Sequence, residues 1–179
     1  MNKTAAALVV VMGVSGCGKS TLGARLAQQL SADFLEGDTL HPPRNVALMA
    51  AGTALTDADR HYWLLALAAR LRAAAQANRA LVVSCSALKH RYRDLLRSAS
   101  TELVFVHLHA DAAVLGARMA ARVGHYMPAS LLASQLATLE APGADERAVT
   151  LDAALPAAQL VAQALAWLAT GAEPPPTPT

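Results

Sequence analysis

Cysteine is nearly missing from this chain: Cys17 and Cys85 are the two it has in 179 residues. Two thiols build no disulfide framework, and with no secretory leader they read as reduced cysteines of a cytoplasmic protein. Aromatic residues make up 4% of the chain while alanines number 42. That balance excludes an all-β barrel or sandwich and fits a helix-rich fold. Charge of one sign is absent too, since 15 Lys and Arg face 13 Asp and Glu for a net charge of +2. So even a balance argues against a nucleic-acid partner. No apolar run approaches the ~18 residues of a membrane span, so no membrane partner is expected either. The run from Ala5 to Met12 follows Lys3 as in a leader peptide. It is too short for one, has no small-residue cleavage site, and passes straight into a glycine-rich turn.

What is present alternates. Short apolar runs and longer amphipathic segments follow one another in the order that gives parallel strands joined by crossover helices. Strands are expected at 8–12, 33–36, 81–84 and 103–108, with a weak fifth at 149–151. Helices are expected at 19–30, 44–51, 90–97, 114–122 and 130–140, from Thr56 onward, and from Pro156 onward. Thr56 is placed to cap its helix with Asp59 answering it, and Trp63, Leu64, Leu67 and Leu71 form the core stripe. Gly52 stands where the preceding helix needs a cap. Residues 1–170 read as one domain, and 171–179, with four prolines, as an extended mobile tail.

Between the first strand and first helix, Gly13, Gly18, Lys19 and Ser20 stand at the spacing of a nucleoside-triphosphate loop. Residues Gly13, Val14, Ser15, Gly16, Cys17, Gly18, Lys19, Ser20 and Thr21 are therefore the candidate nucleotide site. Glycines let backbone N–H groups approach the phosphates, and the helix N-terminus adds its positive end. Lys19 reaches the β and γ phosphates, and Ser20 offers a hydroxyl to Mg2+. A dinucleotide-binding reading fails because no glycine occupies the third position that motif requires. Cys17, beside a helix N-terminus, is expected to be a reactive thiol that ATP protects.

The loop alone does not choose among kinases, GTPases and motor ATPases. The chain has no Asn-Lys-x-Asp guanine-reading sequence and no transporter signature, and its third strand ends in Ser84-Cys85-Ser86 rather than in an acid. The acids follow the second strand instead, as Glu36 and Asp38. A carboxylate at the carboxyl edge of a neighbouring strand faces the γ-phosphate and its acceptor, which points to a small-molecule kinase. Asp38 is placed to hold the acceptor hydroxyl and receive its proton, and Glu36 to orient a magnesium-bound water. Arg44, Arg60, Lys89 and Arg93 are cations available to an acidic substrate. Arg118 and Arg122 share a helix face just before Gly124-His125-Tyr126, so that segment reads as a lid closing two guanidinium groups over the transferring phosphoryl group.

Over about residues 8–168 the chain resembles the small, shikimate-kinase-like gluconokinases. Beyond the phosphate loop, the resemblance rests on Gly37-Asp38-x-Leu40-His41-Pro42, Asn45, Met49, Gly52 and Asp57-x-Asp59-Arg60-x-x-Trp63-Leu64. It continues through Cys85-Ser86-Ala87-Leu88-Lys89, Tyr92-Arg93-Asp94, Arg118, Arg122, Gly124-His125, Gln135, Leu139-Glu140 and Ala144-Asp145-Glu146. The resemblance implies an α/β fold: a five-stranded parallel sheet flanked by helices, of the nucleoside-monophosphate and shikimate kinase type, with a mobile lid at about 122–134. It implies ATP- and Mg2+-dependent phosphorylation of D-gluconate at its 6-hydroxyl by a homodimer. Lys19, Asp38, Arg118 and Arg122 would be catalytic, and Asp38, His41, Arg44, Arg60, Lys89, His125 and Gln135 would bind the substrate. Family members commonly carry Lys, Pro and Pro where this chain has Leu48, Ala54 and Tyr62. Two alternatives stand beside this reading. One is a kinase of another hydroxy acid or polyol such as shikimate, although Ser86-Ala87-Leu88 replaces the Gly-Gly-Gly turn typical of shikimate kinases. The other is an inactive nucleotide-binding regulatory module, against which Lys19, Ser20 and Asp38 argue.

Overall fold

The computed structural model describes residues 6–121 and 131–172. Five strands form one sheet in the order β2-β3-β1-β4-β5, and every neighbouring pair is parallel. They are β1 (Leu8–Met12), β2 (Asp33–Glu36), β3 (Leu81–Ser84), β4 (Leu103–His109) and β5 (Ala148–Asp152). Strands covered by helices on both faces should be continuously apolar, and β1 and β3 are buried at every position. Val9 and Val11 point into one apolar layer, packed under α1 (Lys19–Gln29) and α7 (Ala157–Ala169). Leu8, Val10 and Met12 point into the other, under α3 (Asp57–Gln76) and α4 (His90–Arg97).

The elements depart from expectation mainly at their ends. The weak fifth strand gains a residue on each side because β4 supplies partners from Phe105 to His109. Helix α2 (Pro43–Ala50) opens on Pro43, whose missing N–H costs nothing in a first turn. Helix α5 (Ala112–Ala120) starts two residues early. The Thr56 cap forms as expected: Thr56 Oγ1 accepts from the Asp59 N–H at 3.2 Å, and Asp59 Oδ2 accepts from the Thr56 N–H at 2.9 Å. Residues 131–134, expected as the end of the lid, are the first turn of α6 (Leu131–Thr138), with Leu131 and Leu132 buried. The rest of the expected lid, with Arg122 and His125, lies outside the described residues, as does the tail from 173 onward.

One core residue makes stability depend on pH. His107 pairs in register with Met12 and is 2% exposed. Its Nδ1 lies 3.2 Å from Thr150 Oγ1, and its Nε2 has no partner among the described residues. Burial, reinforced by His109 and Arg93, pushes its pKa down to about 4. The unfolded chain takes up this proton near pH 6.5 and the folded chain only near 4. The stability held by neutral His107 is therefore complete above pH 6.5 and is lost as pH falls toward 4. At ~1.4 kcal/mol per pKa unit, this is a loss of roughly 2 kcal/mol between pH 7 and pH 5. Urea unfolding at the two pH values should show that loss in the wild-type chain and a smaller one in His107→Leu. An equal loss in both would remove His107 as the cause.

Candidate active site

The phosphate loop crosses from β1 to α1 at the carboxyl edge of the sheet. Gly13 takes φ +142°, and a Cβ there would lie 2.6 Å from the Leu108 carbonyl oxygen and 2.8 Å from Cys17 Sγ. The same contact corrects the expectation for Cys17. Its sulfur is tucked under Gly13 and the residue is 1% exposed, so the thiol is turned away from reagents in solution. Lys19 bends back over the loop, and its Nζ donates to the Val14 carbonyl at 3.0 Å.

Two cavities meet at this loop. One, a groove of about 900 Å³ open to solvent, is bounded by Gly16, Gly18 and Thr21 on the loop side and by Ala153 and Leu155 beyond β5. Arg118 lines this groove and donates through Nη2 to the Ala153 carbonyl at 2.8 Å. The structure thus turns Arg118 toward the β5–α7 connection, and Arg118 is not among the residues lining the second cavity.

The second cavity gathers Ser15, Lys19, Asp38, His41, Arg60, Ser86 and Gln135 against an apolar wall of Met49, Leu55 and Leu131. Asp38 reaches it from a 3-10 turn, Gly37–Leu40, that follows β2 directly. Gly37 lets that turn press on β3, because a Cβ there would sit 2.2 Å from the Ser84 carbonyl oxygen. Trp63 fixes the turn by donating Nε1–H to the Gly37 carbonyl at 2.8 Å, and His41 stacks on the indole with ring centroids 4.1 Å apart. Burial, helped by Arg60 and opposed by Asp38, pushes the His41 pKa down to about 4. The ring is therefore neutral at pH 7. Asn45 Nδ2 donates to the Asp59 carbonyl at 2.7 Å and sits 3.4 Å from His41 Nδ1. That arrangement makes Nδ1 the acceptor and leaves the Nε2–H as a donor.

Arg60 is 8% exposed, and its Nε is buried with no hydrogen-bond partner among the described residues. Its guanidinium lies 5.9 Å from the centre of the Tyr92 ring. A buried guanidinium without a carboxylate is costly unless a ligand supplies the anion.

The other expected cations are engaged elsewhere. Arg44 is exposed and pairs with Asp59 at 2.9 Å. Lys89 holds Asp57 at 3.1 Å, and the Tyr92 hydroxyl together with Lys89 and Arg91 keeps the Asp57 carboxyl well below the usual range. Arg93 is completely buried in a two-pronged pair with Glu146, at 2.7 and 2.8 Å. These three are placed by ion pairs and do not line the cavity. Glu36 accepts from the Ser84 hydroxyl. His90, Asp145 and Glu146 come close enough together to hold a cation, yet Glu146 is already taken by Arg93 and Arg97, which would repel one.

Sequence reasoning missed Ser86, Ser134, Leu55 and Leu131 as lining residues. For Leu131, Ser134 and Gln135 the signal was available, since residues three and four apart share a helix face. Of the departures from the family pattern, Tyr62 is 74% exposed and does not line the cavity, whereas Ala54 does.

Ser15 and Lys19 belong to both the phosphate loop and the second cavity, so the cavity opens directly beside the loop. That is the layout of a P-loop kinase acting on a small molecule. Shikimate kinase from Acinetobacter baumannii shares the fold, with a TM-score of 0.60 at 16% identity over 93% of this chain and 94% of that one. The family model described as an AAA domain matches residues 8–142. Much nearer relatives are a gluconokinase of Gluconobacter oxydans, 51% identical over 77% of this chain and 78% of the relative, and the thermoresistant gluconokinase of Escherichia coli, 47% identical over 78% and 79%. The solved gluconokinase from Sinorhizobium meliloti superposes with a TM-score of 0.85 at 48% identity, covering 94% of each chain. The chain belongs to the gluconokinase family.

Proposed function

We propose that the chain moves the γ-phosphoryl group of ATP onto the 6-hydroxyl of D-gluconate where the two cavities meet. Buried Arg60, whose Nε has no hydrogen-bond partner among the described residues, in the cavity that also holds Asp38 and Lys19, carries this reading. The guanidinium receives the substrate carboxylate, the neutral His41 and the hydroxyl of Ser86 meet sugar hydroxyls, and Asp38 takes the 6-hydroxyl. Lys19 neutralises charge on the β and γ phosphates. Arg118 serves the nucleoside side of the groove, and Arg122 and His125 complete the site from the lid.

Ser20 and, through water, Glu36 would hold Mg2+. A hydroxyl and a carboxylate at the carboxyl edge of the sheet are the oxygen donors such a hard cation prefers. Held by these residues, the ion would offset the negative charge of the phosphates. The reading includes a cytoplasmic setting, in keeping with two free cysteines, and a homodimer, for which Tyr62 and Leu65 offer an exposed apolar stretch of α3. Among the described residues no helix is long and apolar enough to cross a membrane.

A coupled ADP-release assay across sugar acids and neutral polyols tests the substrate. Gluconate should be turned over and sorbitol should not. Arg60→Met should raise KM for gluconate roughly 10- to 100-fold, the size of one charged hydrogen-bonded contact, while KM for ATP stays within about twofold. Equal use of sorbitol would remove the carboxylate from the argument, and no turnover of any acceptor would leave the inactive-module reading standing.

A further inference from the structure

Helix α6 touches both substrate sites with one face. At its start, Leu131 packs on Met49 of α2 and on Leu55, in a small apolar cluster separate from the two layers that sandwich the sheet. One turn later Gln135, 7% exposed, accepts the Ser15 N–H through Oε1 at 2.7 Å. Just beyond the helix, the chain is stapled to the β3–α4 loop. There the Glu140 N–H donates to the Leu88 carbonyl at 2.7 Å, and Glu140 Oε2 accepts from the His90 N–H at 2.6 Å.

The Ser15 N–H and the Val14 carbonyl belong to one peptide unit. Lys19 Nζ is held by that carbonyl at 3.0 Å, so a single rigid plane has the triphosphate lysine on one side and Gln135 on the other. Ser15 is 6% exposed, and a buried N–H that loses its acceptor must turn to find another. Turning it carries the carbonyl, and with it the anchor of Lys19.

We propose that Gln135 is a positioning residue that couples the two sites. A substrate seated against Leu131 and Gln135 sets the Val14–Ser15 peptide and hence the lysine that receives ATP, and ATP in return favours the seated acceptor, because such coupling is reciprocal. The proposal rests on gluconate as the acceptor.

Calorimetric titration of a non-hydrolysable ATP analogue, with and without saturating gluconate, measures the coupling directly. In the wild-type chain gluconate should tighten the analogue by about 5-fold or more, the lower end of usual coupling between sites. In Gln135→Leu the factor should fall below about twofold, whatever affinity for gluconate alone the variant loses. Leu131→Ala, which removes the foot of α6 on the acceptor wall, should lower the factor in the same way. It serves as the reading if Gln135→Leu fails to fold by thermal unfolding. A merely structural role would weaken both ligands alike and leave the factor unchanged, and that result overturns the proposal, as does a wild-type chain with no coupling. No gluconate binding to the wild type would overturn the acceptor reading itself and this proposal with it.

Discussion

Asp38→Asn should lower turnover with gluconate by ~10²- to 10⁴-fold, the range of a positioned acid or base, while an ATP analogue binds within about threefold of wild type. The substitution keeps the shape of the side chain and removes its charge, so the 3-10 turn held by Trp63 and Gly37 should stay in place. Lys19 and Arg60 share the cavity with Asp38, and the substitution leaves both in place for their proposed roles. On the proposed reading, what is lost is the carboxylate that orients the acceptor hydroxyl and takes its proton. Because phosphoryl transfer is largely dissociative, much of the effect should come from orientation, and a fall in turnover without a matching rise in KM is the expected pattern. Steady-state kinetics beside direct titration separates the two, and a variant with near wild-type turnover would acquit Asp38 of this role.

The sequence spoke most clearly where chemistry is local. The phosphate loop, the cap at Thr56 and the acids at the end of β2 and just beyond it depend on neighbours a few residues away, and each lies where its spacing places it. Charges were harder to place because their partners are remote in the chain. Arg93 looked like a free cation, but Glu146, 53 residues later, claims it. Ser15 and Gln135 are 120 positions apart, and no local pattern announces that bond. Arg118 was read with Arg122 as one helix face, yet which way a long side chain bends is settled by the carbonyl it finds, here that of Ala153. Cys17 was judged by its place at a helix N-terminus, whereas its exposure is decided by how closely Gly13 approaches it.

Glu146→Ala should cost about 3–5 kcal/mol of stability in urea unfolding, the usual penalty for leaving a buried charge without its partner. Both Arg93 and Glu146 side chains are fully buried, and Glu146 also accepts from Arg97 and from the Gly143 N–H at 3.1 Å. Removing the carboxylate therefore strands the buried Arg93 guanidinium, while Arg97 keeps Asp94. Arg93→Ala should cost less, because Arg97 still faces Glu146. Replacing both, as Arg93→Met with Glu146→Leu, should be milder than Glu146→Ala alone, since no buried charge is left unpaired. Burial alone would raise the Glu146 pKa, but the hydrogen bonds from Arg93, Arg97 and Gly143 outweigh it and hold the carboxyl down to about 2. This contribution is therefore present above pH 4.5 and lost as pH falls from there toward 2, a window below that of His107. The pair also reaches the active site. Arg93 Nη1 donates to the Ala87 carbonyl at 3.0 Å, and Ala87 holds a left-handed φ of +43°. The adjacent Ser86 lines the acceptor cavity, and its carbonyl accepts the Gly13 N–H at 3.3 Å. Arg93→Ala should therefore raise KM for gluconate even at temperatures where the variant is fully folded. Unchanged KM in a folded Arg93→Ala, or a Glu146→Ala chain within about 1 kcal/mol of wild type, would show that the loop holds its shape without this pair.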